Sequence, residues 1–384
     1  MRGTAGASRR HLLLGVLLGL AASAGVLSVY DGGGCNVPEV AAGPLVSDCD
    51  GAIRQAVIHY VSEAAEVVAP TYRQFLRQLP PGVTVYVVCR NRAAFEDLVA
   101  RVGSTACVLS PVIVDHPITS WSRDRWLALG PSKSHETVLL CPRGEDGVEV
   151  WPAREGDQRV AEDLAAVLGP GLGSRRSDLY FDGGDFAADS ETVFVRQAML
   201  LRNLQRTVAT REELIEALSA VLKRRVVLLQ EGPDHHPGMY MMPIGDRTVL
   251  VGDPRMAERL LAEPHDREAV ESFLPGGTDF TEATVARFDA VAEQCQTAGY
   301  RVVRIPLVPG CDGRSFITYV NAILDQRDGH RIVYMPVFGC SGVLNRAAAA
   351  VWHEMGYDVR TVACDGCARN SGTLHCLVNV LRRD

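Results

Sequence analysis

The chain has 384 residues, of which 47% are hydrophobic and 22% are charged. This composition is typical of a soluble globular protein with room for one large domain or two medium ones. The formal net charge of −7 argues against a nucleic-acid-binding protein, because such proteins normally carry a basic face.

The N-terminus predicts an export signal over residues 1–29. Arg2, Arg9 and Arg10 form a basic start, and Leu12–Val29 contains no charged residue. The arginine pair before an apolar run resembles a twin-arginine signal, which implies an exported protein, periplasmic or extracellular. The apolar run is also long enough to remain uncleaved as a membrane anchor.

Residues 30–48 are rich in glycine, proline and small residues and predict a linker, and residues 49–384 predict a single domain. Cys35 follows three glycines in this linker and is an alternative site of lipidation, which would make the protein a lipoprotein.

After the linker, short apolar strands alternate with helical patterns, which is typical of an α/β or α+β fold. Strand character is found in Val83–Cys89, Cys107–Val114, Thr137–Cys141, Thr192–Val195, Arg225–Leu229, Val302–Pro306, Phe316–Leu324, Ile332–Val337, Asp358–Ala363 and Thr373–Leu381. Met239–Pro254 predicts two strands around a turn at Gly245-Asp246. Apolar residues at helical spacing predict helices around Val285–Cys295 and Leu344–Met355, the second ending at Gly356.

Eleven cysteines fit an oxidising compartment, and their number is odd. If Cys376 stays a thiol, the ten others suffice for five disulfides, whose connectivity the sequence does not reveal. Cys364 and Cys367, with Cys340 nearby in sequence, have the spacing of a structural zinc site, although export favours a disulfide there.

The last residues place a cysteine directly after a glycine turn. Thr373–Leu381 predicts a strand, on which His375 and Cys376 would point to opposite faces. A nucleophilic Cys376 would then need an acid/base partner from elsewhere in the chain. The alternative interpretation is a small buried apolar side chain, since free cysteine is among the most buried residue types.

Two tryptophans flank the charged run Trp121-Ser122-Arg123-Asp124-Arg125-Trp126. The neighbouring arginines favour the ionised form of the Asp124 carboxylate. The alternative is a surface cluster of salt bridges that the tryptophans anchor to the core.

Two further motifs bring carboxylates and histidines close together in sequence. In Phe181-Asp182-Gly183-Gly184-Asp185-Phe186, the paired glycines allow the backbone to approach a ligand closely, unless the segment is a plain β-turn. In Asp234-His235-His236-Pro237-Gly238, histidines beside a carboxylate suit general acid/base work. The histidine pair also suits metal ligation or a solvated loop, but its spacing matches no common zinc motif.

Together and in this order, the motifs resemble the guanidino-group-modifying enzymes, closest to agmatine deiminases and bacterial peptidylarginine deiminases. The shared patterns are Trp-x-Arg-Asp at Trp121–Asp124, acidic-Gly-Gly at Asp182–Gly184, a histidine that opens a strand at His236, and the glycine turn with His-Cys at Gly372–Cys376. The segments Tyr319-x-Asn321-Ala322 and Pro336–Gly339 also fit. The resemblance covers roughly residues 75–383.

The resemblance implies a pentein fold, an α/β propeller of five ββαβ-type units around a pseudo-fivefold axis, with 49–384 as its catalytic domain. It implies Cys376 as the nucleophile, His236 as the acid/base and Asp124 as a guanidinium-binding carboxylate. Trp121 would line the substrate pocket. Cysteine attack on a guanidinium carbon makes chemical sense, because carboxylates bind its N–H groups and a nearby imidazolium favours the thiolate.

One position departs from the family pattern. The second guanidinium-binding aspartate of the family, two residues after the histidine, is Gly238 here. Asp182, Asp185 or Asp234 are candidate substitutes for the missing charge. Arg123 and Asn321, which lie in the matched motifs, complete the set of expected substrate-binding residues.

The expected activity is therefore a cysteine-dependent deiminase that releases ammonia and leaves a ureido product. The expected partner is a small guanidino compound, agmatine-like, or the arginine side chain of a peptide, with no cofactor, no metal and no nucleic acid. An extracytoplasmic location fits a peptide better than agmatine. The alternatives are an amidinotransferase on the same fold, or a non-catalytic binding protein, which Gly238 suggests.

Overall fold

The computed structural model describes residues 42–131, 137–145 and 152–384. The predicted export signal and Cys35 lie outside the described residues. Within the described ranges, no helix combines the length and apolar character needed to cross a membrane.

The described residues contain short strands separated by helices. The strands are Ile53–His59 (β1), Thr84–Cys89 (β2), Val108–Ile113 (β3), Leu127–Leu129 (β4), Thr137–Cys141 (β5), Leu172–Arg176 (β6), Phe186–Ala188 (β7), Thr192–Arg196 (β8), Arg225–Leu229 (β9), Met241–Pro243 (β10), Thr248–Asp253 (β11), Arg301–Pro309 (β12), Phe316–Thr318 (β13), Ile323–Arg327 (β14), His330–Val337 (β15), Tyr357–Ala363 (β16) and Val378–Arg383 (β17). The helices are Ala65–Gln78 (α1), Arg92–Val102 (α2), Pro152–Asp157 (α3), Val160–Leu168 (α4), Gln197–Asn203 (α5), Arg211–Leu222 (α6), Pro254–Leu260 (α7), Pro264–Phe273 (α8), Glu282–Thr297 (α9), Gly342–Glu354 (α10), Asp365–Ala368 (α11) and Leu374–Leu377 (α12). The mixture confirms the predicted α/β class.

These strands form five separate sheets of three or four strands. Their orders are β17-β1-β2-β3, β4-β5-β6, β7-β8-β9, β10-β11-β12-β13 and β14-β15-β16. Each sheet contains an antiparallel pair followed by a parallel neighbour, as in β4, β5 and β6. The parallel step crosses through one or more helices, because parallel strands need a long connection. The same ββαβ arrangement therefore occurs in all five sheets; it is continuous along the chain in four of them, and in the fifth its first strand is β17, from the C-terminal end.

The sheet that contains β1 joins the two ends of the described chain. The C-terminal strand β17 pairs antiparallel with β1, and β1 pairs in parallel with β2. Since β17 directly follows the turn that carries Cys376, this pairing fixes that turn against the start of the domain.

The apolar patterns predicted from the sequence face the core. Val285, Phe288, Ala292 and Cys295 of α9 are buried, and Thr281 caps the helix by accepting from the Thr284 N–H. Helix α10 is followed by Gly356, whose φ of +81° is the left-handed conformation that ends helices.

Residues 42–48 differ from the predicted linker. They belong to the compact unit that spans Ala41–Asp384, and Leu45 and Asp48 are buried. The Asp48 N–H donates to Ala188 O at 2.8 Å, so this segment is tied to the domain. The small residues of this segment led to the prediction of a linker, but in the structure they allow it to pack closely against the domain.

Two predicted strands were assigned incorrectly. Phe316–Leu324 is not one strand, because β13 and β14 lie in different sheets and Tyr319–Ala322 connects them. The first part of Thr373–Leu381 is the one-turn helix α12, and only its second part is a strand.

No disulfide joins any of the described cysteines, although the cysteine count in the sequence allowed up to five. All ten of them are free thiols, and eight are buried. A buried thiol packs as a small apolar side chain, which accounts for their positions without cross-links.

Candidate active site

The loop Trp121–Trp126 lies directly against the turn that carries Cys376. The Arg123 N–H donates to Cys376 O at 3.3 Å, and the Ser122 hydroxyl donates to Leu377 O at 2.8 Å. Gly372 packs on the Trp121 ring so closely that a Cβ there would lie 2.5 Å from the ring. Trp121 remains partly exposed beside this turn.

Cys376 lies in the helical turn α12, so it does not alternate with His375 across a strand. The turn is held by Asn321, whose side-chain oxygen accepts from Thr373 Oγ1 at 2.6 Å and from the N–H of His375 at 3.0 Å. Asn321 donates in return to Gly238 O at 2.9 Å. It is 1% exposed and joins the Cys376 turn to the His236 loop, and its contact with substrate stays a prediction.

The Cys376 thiol is enclosed by apolar and neutral groups. Its Sγ lies 3.6 Å from Asn321 Oδ1 and 3.7 Å from Met239 Sδ, and the residue is 7% exposed. Burial, with the nearby Asp124 carboxylate second, raises the pKa of Cys376 to about 12. The thiol is therefore protonated at neutral pH.

His236 approaches this turn from the loop before β10. Its Nδ1 lies 3.8 Å from Asp124 Oδ1. The ring packs flat on Gly184, where an added Cβ would lie 2.3 Å from Nδ1. Gly184 of the predicted turn thus makes room for the His236 imidazole. Gly183 makes room for the Trp121–Trp126 loop, since an added Cβ there would lie 2.1 Å from Arg123 O.

That glycine turn is a single 3-10 turn over Gly183–Asp185. Asp185 accepts from the Asp182 N–H at 2.7 Å and pairs with Arg196, and it is fully buried. Asp185 therefore holds the turn together. Gly183 donates to Asp124 O at 2.6 Å, which ties the turn to the Trp121–Trp126 loop.

Asp182 is surrounded by three arginines. It accepts from Arg202 at 3.0 Å and from Arg154 at 3.3 Å, and Arg125 lies 3.5 Å away. Burial alone would raise its pKa, but the arginines outweigh burial and lower the pKa of Asp182 to about 2. The carboxylate is ionised and its charge is already balanced within the chain.

Asp124 is also paired within the chain. Arg154 of α3 places Nη2 2.9 Å from Asp124 Oδ2, on the side away from the oxygen nearest His236. Nothing in the sequence motifs pointed to Arg154, because it lies about 30 residues from Asp124 in a segment with no recognisable pattern.

Arg123 and His375 share a carboxylate that the sequence interpretation missed. Asp48 Oδ1 lies 3.0 Å from Arg123 Nη2 and 3.2 Å from His375 Nε2. Burial alone would raise the Asp48 pKa, but Arg123 and then His375 hold it well below its usual range. Burial lowers the pKa of His375. Arg123 is thus paired with Asp48, and its contact with substrate stays a prediction.

Asp234 lies apart from these buried acids. Its side chain is 82% exposed, and its oxygen is 3.8 Å from Arg196. It borders a cavity of about 480 Å³ that is also lined by Arg196, Glu231, Tyr240 and Arg287. Asp234 therefore belongs to the outer surface near the His235-His236 pair.

Among the described residues, one group could hold a metal ion: Asp182, Asp185 and His236. Their carboxylate oxygens and ring nitrogen lie within 4.8 Å of one another. Both carboxylates already pair with arginines, which disfavour a second cation nearby. Cys364 and Cys367, for which zinc was the alternative to a disulfide, are not among the candidate metal sets in the described residues.

No family model matches this chain, and no curated protein does. Solved structures of deiminases do match it. The agmatine deiminase of C. jejuni has a TM-score of 0.63 at 12% identity, over 88% of this chain and 96% of that one. A putative peptidyl-arginine deiminase has a TM-score of 0.65 at 13% identity, over 89% of this chain and 99% of that one. The agmatine deiminase of Enterococcus faecalis has a TM-score of 0.63 at 14% identity, over 88% of this chain and 96% of that one.

These matches confirm the resemblance seen in the motifs at the level of the fold. The chain is a mixed α/β protein with the fold of the agmatine deiminase and peptidyl-arginine deiminase structures.

Proposed function

We propose that this protein is a hydrolase that deiminates a guanidino compound through a covalent cysteine mechanism. The supporting observation is that four motifs far apart in sequence contact one another through hydrogen bonds and an ion pair. The Arg123 N–H donates a hydrogen bond to Cys376 O, and the Gly183 N–H donates to Asp124 O. Asn321 joins the Cys376 turn to Gly238, and His236 lies beside Asp124. Nucleophile, acid/base and carboxylate are the groups that this chemistry needs.

The reaction follows from these groups. Asp124 accepts N–H bonds of the guanidinium and aligns its carbon with the thiol. Cys376 Sγ bonds to that carbon as the thiol proton passes to His236. His236 then protonates the departing nitrogen, which leaves as ammonia and yields a thiouronium. Water, deprotonated by His236, adds to the same carbon, and the C–S bond breaks with its electrons on sulfur. The Cys376 thiolate takes a proton back from His236, and the ureido product releases its extra proton to the ammonia.

Because the pKa of the Cys376 thiol is raised, the substrate should bind before the thiolate forms. A thiol with a pKa of about 12 is a poor nucleophile at neutral pH. A cation bound beside it favours the thiolate, so the substrate's own positive charge helps to activate the nucleophile. This fits a guanidinium substrate better than a neutral amide.

An agmatine-like compound and the arginine side chain of a peptide both supply this head group. The second candidate function is a non-catalytic binding protein, which Gly238 and the pairing of Arg154 with Asp124 favour. An amidinotransferase would use the same first steps with an amine in place of water.

Ammonia release from arginine, agmatine and an arginyl peptide tests the proposal. Hydrolysis of any of them, lost in Cys376→Ala with the fold intact, supports the deiminase. Amidino transfer that needs an added amine supports the transferase. Binding without either reaction supports the binding protein.

We further propose that the protein is exported and that its five sheets surround a pseudo-fivefold axis. The first rests on Arg9, Arg10 and the apolar run that follows them. Changing both arginines to lysine should block export by a twin-arginine route, as cell fractionation would show. The second rests on the ββαβ order common to the five sheets.

A further inference from the structure

An arginine of this chain lies on the carboxylate that the proposed function assigns to the substrate. Arg154 Nη2 is 2.9 Å from Asp124 Oδ2 and 3.3 Å from Asp182 Oδ1, and Nη1 is 3.6 Å from Asp157 Oδ2. The Arg154 side chain is 11% exposed. Its guanidinium is therefore held among three acids at the site.

This contact differs from the other arginine pairs around the site. Arg196 pairs with the structural Asp185, and Arg202 bonds Asp182 and Asp185 within the glycine turn. Arg154 alone among the described residues forms an ion pair with Asp124 that is as short as a hydrogen bond. Its Nη1 is buried and has no hydrogen-bond partner in the described part of the chain, so its head group is incompletely satisfied.

We propose that Arg154 is a specificity-determining residue that competes with the substrate guanidinium for Asp124. This inference rests on the proposed function. A guanidinium substrate carries the same planar cation as Arg154, so it must displace Arg154 or share Asp124 with it. When the substrate guanidinium replaces the Arg154 guanidinium on Asp124, one such ion pair is exchanged for another, so the exchange contributes little to the binding free energy.

The consequence is a preference for larger substrates. The substrate guanidinium loses affinity for Asp124 because Arg154 competes with it. Gly238 has no side-chain carboxylate that would compensate for this loss. Binding free energy must come from the rest of the substrate. Within this inference, the rest of the substrate would bind in the surface cavity of about 480 Å³ that Asp234 and Glu231 border. The substrate class is therefore an arginine within a larger molecule, in preference to a small free guanidino compound.

Thermal unfolding in the presence of guanidinium or urea, at equal millimolar concentrations, tests this competition. Urea has the shape of guanidinium without its charge. In Arg154→Gln, guanidinium should bind at Asp124 and raise the unfolding temperature by several degrees relative to urea. Wild type should show no such shift. Neither should Arg159→Gln, a control that removes an exposed arginine paired only with the exposed Asp115.

Turnover provides the second measurement. The KM of Arg154→Gln should fall roughly tenfold for agmatine and by a similar factor for an arginyl peptide, since both present the same head group to Asp124. If removing Arg154 leaves Asp124 without its arginine partner and the variant does not fold, Arg154→Lys replaces it. Lysine keeps the charge but loses the planar fork, so it should compete more weakly than arginine.

The outcomes separate this inference from the proposed function. Turnover in wild type with no change in guanidinium binding or KM in either variant overturns the role of Arg154 alone. A guanidinium shift in Arg154→Gln without turnover of any guanidino compound supports that role and overturns the deiminase. A site that binds no guanidino compound in any variant overturns both.

Discussion

His235 and His236 are neighbours in sequence with different surroundings. His235 Nε2 lies 2.8 Å from Ser371 O, and burial, followed by the charge of His236, lowers the His235 pKa to about 4. His236 instead lies beside Asp124. Of the two histidines, His236 is the one beside the Asp124 carboxylate, in agreement with its proposed role as the acid/base.

Replacing each histidine by glutamine distinguishes these roles. His236→Gln should lower kcat at least roughly 100-fold, the usual contribution of general acid/base catalysis. His235→Gln, as the matched control, should lower it much less. Steady-state ammonia release measures both, with thermal unfolding as a check of the fold. A larger loss in His235→Gln would show that the acid/base was assigned to the wrong residue.

Gly238→Asp tests whether a second carboxylate can be restored. Gly238 is not among the residues with positive φ, so the backbone tolerates a side chain. An added Cβ would lie 3.1 Å from His375 Nδ1 and 3.3 Å from Asn321 Nδ2, so these neighbours must shift by a few tenths of an ångström. A charge-assisted hydrogen bond should tighten the Kd of a guanidino compound roughly tenfold or more.

Calorimetric titration of Gly238→Asp with agmatine measures that change. Gly238→Asn is the matched control, because it has nearly the same shape without the charge. Equal tightening in both variants would attribute the effect to packing and would contradict the role of a missing carboxylate.

At the scale of elements, the turn α12 depends on a residue more than 50 positions away. Asn321 accepts from Thr373 Oγ1 and from the His375 and Cys376 N–H groups, and so satisfies donors that a one-turn helix leaves free. The local alternation of Leu374, Cys376, Val378 and Val380 is typical of a strand. The sequence therefore predicted the position of Cys376 beside a turn but not its helical conformation.

Removing the Asn321 side chain should disturb both the turn and the His236 loop. Asn321→Ala should cost about 1–3 kcal/mol of unfolding free energy, because it leaves buried polar groups unsatisfied. It should also lower kcat, since the Cys376 turn loses the side chain that holds it. Asn345→Ala is the control: its side chain bonds Tyr319 and Phe338, away from Cys376. Equal kcat losses would mean that Asn321 acts only through stability, which urea unfolding would reveal.

At the scale of the whole molecule, periodicity and turn signals located most strands and the buried faces of α9 and α10. They revealed neither the grouping into five sheets nor the pairing of β17 with β1, because strand pairing depends on contacts between distant segments. The same limit hid Asp48 and Arg154. Both enter the site through tertiary packing, and no local pattern marks either residue.

The buried thiols and phenols predict how the stability of the whole molecule changes with pH. Burial raises the pKa of Tyr72, Tyr319, Cys49 and Cys364 well above their ordinary values. Their folded-state pKa values exceed the unfolded ones, so their contribution to stability is complete below the unfolded values. It is lost as the pH rises above those values toward the folded-state pKa. The unfolding free energy should therefore fall above about pH 9–10.

Tyr72→Phe isolates one of these groups. The Tyr72 hydroxyl donates to His59 O at 2.9 Å, so its loss should cost about 1 kcal/mol at pH 7. The variant lacks a phenol that ionises on unfolding above pH 10. The slope of its unfolding free energy against pH should therefore be smaller than that of the wild type by about 1.4 kcal/mol per pH unit. Urea unfolding from pH 7 to 11 measures both changes, and the wild-type and variant curves should converge at high pH. Curves that stay parallel throughout would contradict the assignment, because Tyr72 would then ionise equally easily in both states.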